Sequence, residues 1–238
     1  ITVVEFKDDI VIIDCGLKFP DEDMFGLDVV IPDISYLVKN SEKIRGIFLT
    51  HGHEDHIGSL PYFLKQLNVP IYGTKLTLGI VETKLKEHGL LSTTELITVK
   101  PRDVIKLNSV SVEFIKTNHS IADSVAIAIH TPIGAILHTG DFKVDYTPID
   151  GEVMDFARFA ELGRKGVLAM LADSTNVERP GYTMSERVVG ESFKRIFAKA
   201  KGRIIVATFA SNIHRIQQIV EAAQLYDRKI AVSGRSME

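Results

Sequence analysis

The chain has one cysteine, no tryptophan and no long apolar run. These features limit the classes of protein to which it can belong. Its single cysteine, Cys15, excludes an internal disulfide. We expect Cys15 to be a small buried residue rather than a nucleophile. No stretch of apolar residues is long enough to cross a bilayer, and no secretory signal peptide is visible. These absences favour a cytoplasmic protein.

The charge balance also excludes a global basic field. The net charge is −3 over 238 residues, so a polyanionic substrate would have to be held locally, by metal ions, arginines and backbone amides. With 45% hydrophobic and 25% charged residues, the chain suits an enzyme with a large core, in one large domain or two.

The most informative segment places four candidate metal ligands, three histidines and an aspartate, within six residues, from His51 to His56. The apolar run 44–49 before it predicts a buried strand, and the spacing of apolar residues over 60–67 predicts a helix after it. The segment is therefore expected at a strand-to-helix turn, where side chains project from one end of a sheet.

The spacing of these side chains suits two adjacent metal ions. His51 and His53 can reach one metal, while Asp55 and His56 can hold a neighbouring one. Neutral imidazole and carboxylate are ligands that zinc accepts. The segment resembles the signature of the metallo-β-lactamase superfamily. That resemblance implies two packed β-sheets covered by helices, and a hydrolase of lactams, thioesters or phosphodiesters.

Three further candidates follow predicted strands. His119, after strand 110–115, would complete a three-histidine shell for the first metal. Asp141, after strand 135–137, could bridge both metals with its two oxygens. Asp14, after strand 10–13, resembles the superfamily's first motif and is expected to orient ligands by hydrogen bonds rather than to bind metal. Three other histidines are interpreted as solvated or structural: His88, His130 and His138.

The pattern changes near the turn signal at 178–181. Beyond it, helices are predicted over 185–200 and 212–226, and strands over 203–208 and 229–233. This alternation indicates a parallel α/β sheet. We therefore predict a metallo-β-lactamase domain over residues 1–180 and the start of a second domain over 181–238.

Segments 138–143, 173–176 and 209–215, together with His51 to His56, resemble the bacterial ribonuclease J family of the β-CASP branch. In that family a β-CASP domain is inserted into the metallo-β-lactamase domain, and RNA is cut in the cleft between them. The resemblance implies a ribonuclease with 5′-to-3′ exonuclease and endonuclease activity in rRNA processing and mRNA decay. It also implies two Zn²⁺ ions, with Mn²⁺ as the alternative.

The same resemblance implies further partners. The substrate is expected to be 5′-monophosphorylated RNA. The full-length protein is expected to form a homo-oligomer and to associate with other RNA-decay proteins.

Two aspartates are expected to act in catalysis. Asp55 would ligate the second metal and orient or deprotonate the attacking water. Asp173 resembles the first β-CASP motif and receives a supporting role, with a helix or turn cap as the alternative. Four residues at a strand-to-helix junction are expected to contact the RNA backbone or a 5′-phosphate: Phe209, Ala210, Ser211 and Asn212. The alternative for these is an ordinary helix N-cap.

The acidic segment 20–28 offers oxygen ligands that would suit calcium. Gly26, through its carbonyl, and Asp28 are the candidate ligands of a structural Ca²⁺, and a solvated acidic loop is the alternative.

Both ends of the chain look cut. The resemblance places the remaining second-metal ligand and the later β-CASP histidines beyond Glu238, so the fragment alone is expected to bind the second metal poorly. Alternatives stay open: another hydrolase of this fold, such as a thioesterase, a tRNA-processing nuclease or a DNA nuclease, and a non-catalytic RNA-binding paralogue. A paralogue of that kind should have lost motif ligands, but the six candidates named above are present.

Overall fold

The computed structural model describes residues 1–234 and contains two five-stranded sheets. The first sheet consists, in spatial order, of β1 (Thr2–Phe6), β2 (Asp9–Ile13), β3 (Ile44–Phe48), β4 (Ile71–Gly73) and β5 (Leu96–Thr98). The second consists, again as successive neighbours, of β6 (Val104–Lys106), β7 (Ser111–Lys116), β8 (Val125–Thr131), β9 (Gly134–His138) and β10 (Val167–Leu171).

Strand directions determine where the loops lie. In the first sheet β1 is antiparallel to β2, whereas β2 to β5 are parallel. In the second sheet β6 to β9 are antiparallel and β10 is parallel to β9. Ile13 pairs with Phe48 near the ends of β2 and β3, so the loops that follow these two strands leave the same edge of the sheet.

Seven α-helices accompany the sheets in the described part of the chain. They are α1 (Ser35–Lys39), α2 (Glu54–Ile57), α3 (Leu60–Leu64), α4 (Lys75–Glu87), α5 (Phe156–Lys165), α6 (Arg187–Lys199) and α7 (Ile213–Leu225). The helix predicted over 60–67 corresponds to α3, which ends three residues earlier, at Leu64. None of the described helices has both the length and the apolar composition that a bilayer span requires.

The strand β2 is buried on both faces. Ile10 and Ile12 belong to a core formed with α1, α3 and α4, whereas Val11 and Ile13 belong to the core between the two sheets. Burying one such aliphatic side chain contributes about 1.5–3 kcal/mol. At its start, the buried Asp9 carboxylate accepts a hydrogen bond from Ser109 Oγ at 2.7 Å.

An ion-pair cluster joins α5 to the second sheet. Buried Glu113 on β7 accepts from Arg158 Nε at 2.6 Å and lies 2.7 Å from His130 Nε2. Burial raises the pKa of Glu113, but hydrogen bonds from Arg158 and His130 outweigh it and lower that pKa below its ordinary value. The ionised carboxylate therefore stabilises the folded state.

The chain divides into two compact units. The first comprises Ile1–Thr117, Asp123–Phe142 and Asp155–Ser174; the second comprises Asn118–Ala122, Lys143–Met154 and the chain from Thr175 onwards. Within the second unit, Phe197 on α6 packs with Ala222 and Ala223 on α7. The domain boundary predicted at 180 and 181 stays a prediction.

Two strands that the sequence predicts in the second unit do not form in the described part of the chain. Neither 203–208 nor 229–233 is a strand, because neither joins a hydrogen-bonded ladder within residues 1–234. The apolar pattern is local, whereas a strand also requires a paired neighbour. The last four residues of the predicted second domain, 235–238, lie outside the described residues.

Candidate metal centre

Side chains from three loops converge in two groups that share one carboxylate. The first group comprises His51, His53, His119 and Asp141, and the second comprises Asp55, His56 and Asp141. Within each group the donor atoms all lie within 4.8 Å of one another. All six predicted metal ligands lie in these two groups, and their binding of metal stays a proposal.

The fold explains this convergence. His53 precedes α2 with extended backbone, and Asp55 and His56 lie within that short helix. His119 lies in the loop between β7 and β8, which is closed by a hydrogen bond from Thr117 N to Ser124 O at 3.1 Å. Asp141 lies three residues beyond β9.

The first group contains imidazole and carboxylate donors, and two of its nitrogens are spaced close to what a bound metal ion would need. His51 Nε2 and His53 Nδ1 are 3.0 Å apart. A tetrahedral ion that holds nitrogens at about 2.0–2.1 Å separates them by roughly 3.3 Å, so the two rings need little adjustment. Imidazole and carboxylate donors fit zinc and manganese alike.

The second group is more open to solvent. His56 Nε2 lies 3.3 Å from Asp141 Oδ1 and 3.7 Å from Asp55 Oδ2, and the Asp55 side chain is 67% exposed. Burial lowers the pKa of His56, but hydrogen bonds to Asp14 and Asp141 outweigh it and raise that pKa to about 10. A cation bound by His56 Nε2 would take the place of the proton that this raised pKa keeps on the ring.

Asp14 lies behind the donors rather than among them. Its backbone φ is +57°, a left-handed conformation that aspartate tolerates better than most residues. Its buried carboxylate accepts from Thr50 N and Thr50 Oγ1, each at 2.8 Å, and lies 2.7 Å from His56 Nδ1. It belongs to neither donor group, and its role in orienting the ligands stays a prediction.

Asp173 lies beside the turn that carries Asp141. Its amide donates to Thr139 Oγ1 at 3.0 Å, and its Oδ2 accepts from Phe142 N at 3.5 Å. Its carboxylate is in neither donor group. A supporting catalytic role for Asp173 stays a prediction.

The segment Phe209 to Asn212 begins α7 in the second unit. Asn212 Oδ1 accepts from Arg215 N at 3.1 Å, so the capping alternative is realised for this side chain. Phe209 is 82% exposed. The Arg215 guanidinium pairs with Glu186 at 2.8 Å and 3.0 Å. Contact between 209–212 and RNA stays a prediction.

The calcium candidates lie in an exposed loop. Asp28 is exposed, and Gly26 has a φ of +78°. Within residues 1–234, no cluster of three or more histidine or acidic side chains gathers there. A structural Ca²⁺ stays a prediction.

Two further histidines lie outside the donor groups. The exposed His88 is the C-cap residue of α4 and contacts the Tyr62 ring, while His138 Nδ1 accepts from Gly140 N at 3.1 Å. Cys15 is fully buried, and burial raises the pKa of its thiol to about 12. This thiol is therefore protonated at neutral pH and unsuited to nucleophilic attack.

Sequence reasoning missed two residues that support the donors. Thr50 immediately precedes the motif, and its hydroxyl hydrogen bonds with Asp14. Gly16 packs directly against the backbone of Asp55. The signals were a hydroxyl residue and a glycine at the ends of buried strands, but neither reveals its partner.

Comparison with known proteins gives two family matches. Residues 1–168 match the model of the metallo-beta-lactamase superfamily, and residues 201–238 match that of the ribonuclease J beta-CASP domain. The predicted boundary lies between these matched ranges.

Two curated relatives match almost the whole of this chain. It is 53% identical over 237 residues to Ribonuclease J from Synechocystis sp., covering 99% of this chain and 37% of that protein. It is 51% identical over 235 residues to Ribonuclease J 1 from Streptococcus pyogenes serotype M3, covering 99% of this chain and 42% of that protein. The chain thus spans less than half the length of these relatives.

A solved structure shares the fold. A protein of unknown function from Enterococcus faecalis V583 superposes with a TM-score of 0.66 at 21% identity, covering 98% of this chain and 67% of that one.

Proposed function

Because the chain belongs to the metallo-β-lactamase superfamily, we propose that its two donor groups hold divalent metal ions and form part of a ribonuclease centre. The observation that carries this proposal is the sharing of Asp141 between two groups of donors. A carboxylate has two oxygens and can serve two adjacent cations at once, so the two groups could hold the paired ions of a two-metal hydrolase.

Each donor group would hold one metal ion. His51, His53 and His119 would hold one ion, Asp55 and His56 the other, and Asp141 both. We propose zinc, with manganese as the alternative, since the donor set accepts either. When bound, such ions supply Lewis acidity that activates water near neutral pH and neutralises charge on a phosphate.

The chain's own residues perform the remaining tasks. Asp55 is the most exposed of the proposed ligands and can orient, or accept a proton from, a water that approaches from solvent. Asp14 holds His56 from the opposite side of its ring, at 2.7 Å from Nδ1, so that Nε2 points to Asp141.

RNA is supported as the substrate by the relatives, both named Ribonuclease J. We propose exonuclease and endonuclease action on 5′-monophosphorylated RNA in the cytoplasm, in RNA processing and decay. The exposed turn 209–212, at the N-terminus of α7, is the proposed phosphate contact. Homo-oligomers and other RNA-decay proteins remain the proposed partners.

Metal content tests the first part of this proposal. The purified chain loaded with zinc or manganese should retain metal after dialysis, and His53→Ala should lose most of the first ion. His88→Ala removes an imidazole outside both groups and should retain the parent's content. Equal loading of all three proteins would contradict the assignment of His53.

Activity tests the second part and uses the full-length protein. Asp55→Ala should abolish cleavage of 5′-monophosphorylated RNA, whereas Asp21→Ala, which changes an exposed carboxylate paired with Lys18, should cleave like the parent. Matched 5′-triphosphorylated RNA and single-stranded DNA should be cut more slowly. Faster cleavage of the DNA would favour a DNA nuclease of the same superfamily.

A further inference from the structure

The hydroxyl of Thr50 lies among the groups that support both sets of donors. Thr50 is fully buried, and its Oγ1 lies 2.8 Å from Asp14 Oδ2, 3.0 Å from His51 Nδ1 and 3.4 Å from His56 Nδ1. His51 belongs to the first donor group and His56 to the second. One hydroxyl therefore contacts a ligand of each group.

The direction of these hydrogen bonds follows from proton counting. A carboxylate only accepts, so the single hydroxyl proton of Thr50 goes to Asp14. Thr50 Oγ1 is then left to accept, and the proton between it and His51 must lie on His51 Nδ1. The proton between His56 and Asp14 must likewise lie on His56 Nδ1.

The consequence is that both rings hold their Nδ1 proton inward, so that Nε2 points outward and, in a neutral ring, carries the lone pair. His51 Nε2 faces His53 Nδ1 at 3.0 Å, and His56 Nε2 faces Asp141 Oδ1 at 3.3 Å. These are the atoms through which each ring reaches its donor group. A neutral imidazole binds metal through the nitrogen without a proton, and the hydrogen bond of the other nitrogen decides which one that is.

The methyl side of Thr50 has a separate role in packing. Gly140 has a φ of +57°, and a Cβ added there would lie 2.8 Å from Thr50 Cβ and 3.1 Å from Thr50 Cγ2. The turn that leads into Asp141 therefore packs against the Thr50 side chain, nearest to its two carbons and with Oγ1 at 3.2 Å from the added Cβ. Hydroxyl and methyl can be removed separately, which makes the two roles separable.

We propose that Thr50 is a positioning residue whose hydroxyl, together with Asp14, keeps Nδ1 of His51 and of His56 protonated and inward, so that each ring presents Nε2 to its donor group and neutral His51 adopts the Nδ1–H tautomer. The metal part of this inference rests on the proposed function. The tautomer part does not, because it concerns the chain without metal.

Two matched substitutions separate the hydroxyl from the methyl. Thr50→Val keeps the shape and loses the hydroxyl, whereas Thr50→Ser keeps the hydroxyl and loses the methyl. Zinc affinity, measured by competition with a chromogenic chelator, should fall about 10- to 100-fold in Thr50→Val, the range typical for loss of such supporting groups. Thr50→Ser should restore the affinity to within about threefold of the parent, since it keeps the hydrogen bonds.

The second readout is long-range ¹H–¹⁵N NMR of the histidine rings in the metal-free chain. The parent should show the Nδ1–H tautomer for His51, and Thr50→Val should lose that preference. A parent in which His51 carries its proton on Nε2 would overturn the proposal, whether or not the variants fold. Equal loss of zinc in Thr50→Ser and Thr50→Val would also overturn it, because packing would then be the cause.

These outcomes are distinct from failure of the proposed function. If the parent binds neither zinc nor manganese, the proposed metal centre fails, yet the tautomer in the metal-free chain still decides the role of Thr50.

Discussion

Replacement of Gly16 by alanine tests how closely the turn after β2 packs on the donor loop. A Cβ at this position would lie 1.5 Å from the carbonyl oxygen of Asp55 and 2.8 Å from the amide nitrogen of His56. Ordinary contact begins at 3.4 Å, so the two backbones must separate by about 1.9 Å. Backbone hydrogen bonds flank the contact on both sides, from Cys15 N to His56 O at 2.7 Å and from Leu17 N to Glu54 O at 3.2 Å.

The expected cost combines two effects. Overpacking in a well-packed interior typically costs about 1–3 kcal/mol. Loss of a buried backbone hydrogen bond adds about 1–3 kcal/mol. We therefore expect Gly16→Ala to lower the free energy of unfolding by about 3 kcal/mol or more. For a chain of this length that corresponds to a fall in Tm of roughly 6–12 °C.

The matched control is Gly79→Ala. Gly79 lies inside α4, and a Cβ there would meet nothing within 4 Å. Alanine is favoured over glycine in a helix by about 0.5–1 kcal/mol, so this variant should melt slightly above the parent. Circular dichroism melts of the three proteins, followed by zinc content, make the comparison. If Gly16→Ala melted and bound zinc like the parent, the close packing of this turn on the donor loop would be refuted.

Three further outcomes follow. Because the pKa of Glu113 is lowered in the folded state, its carboxylate should stabilise the fold at pH values above its unfolded pKa of about 4.5. That stabilisation should be lost as the pH falls through the folded-state pKa. The free energies of unfolding of the parent and of Glu113→Gln, measured by urea titration, should therefore converge in acid. The Cys15 thiol should resist iodoacetamide until denaturant is added, as mass spectrometry would show, and rapid labelling of folded protein would contradict its burial. In the full-length protein, Ser211→Ala/Asn212→Ala should raise KM for 5′-monophosphorylated RNA at fixed salt without changing metal content; an unchanged KM would leave Asn212 as a helix cap alone.

The placement of the donors could be predicted because it depends on strand ends. His51 follows β3 by a few residues, and the apolar runs that form the strands are visible in the sequence. Parallel pairing of β2 with β3 then places Asp14 beside the motif. The family resemblance supplied His119 and Asp141, whose loops are distant in sequence from His51.

The role of Thr50 could not be predicted in this way. Its hydroxyl partner, Asp14, is 36 positions away, and a threonine in the sequence does not show which residue its hydroxyl will meet. The prediction of strands over 203–208 and 229–233 was wrong for a related reason. An apolar run indicates burial, but ladder formation depends on another segment that the run itself does not specify.

The burial of β2 on both faces has a consequence for how its register is specified. A one-residue slip normally moves apolar side chains into solvent, and that cost fixes the register. Here Ile10 to Ile13 are apolar on both sides, so a slip would exchange one core for the other at little hydrophobic cost. A slip in either direction would instead carry one of the bracketing carboxylates, Asp9 or Asp14, into an apolar interior without its partners, which is far more costly. The polar residues at the two ends of β2 thus align a strand whose hydrophobic pattern cannot align itself, and one of those ends supports the donor loop.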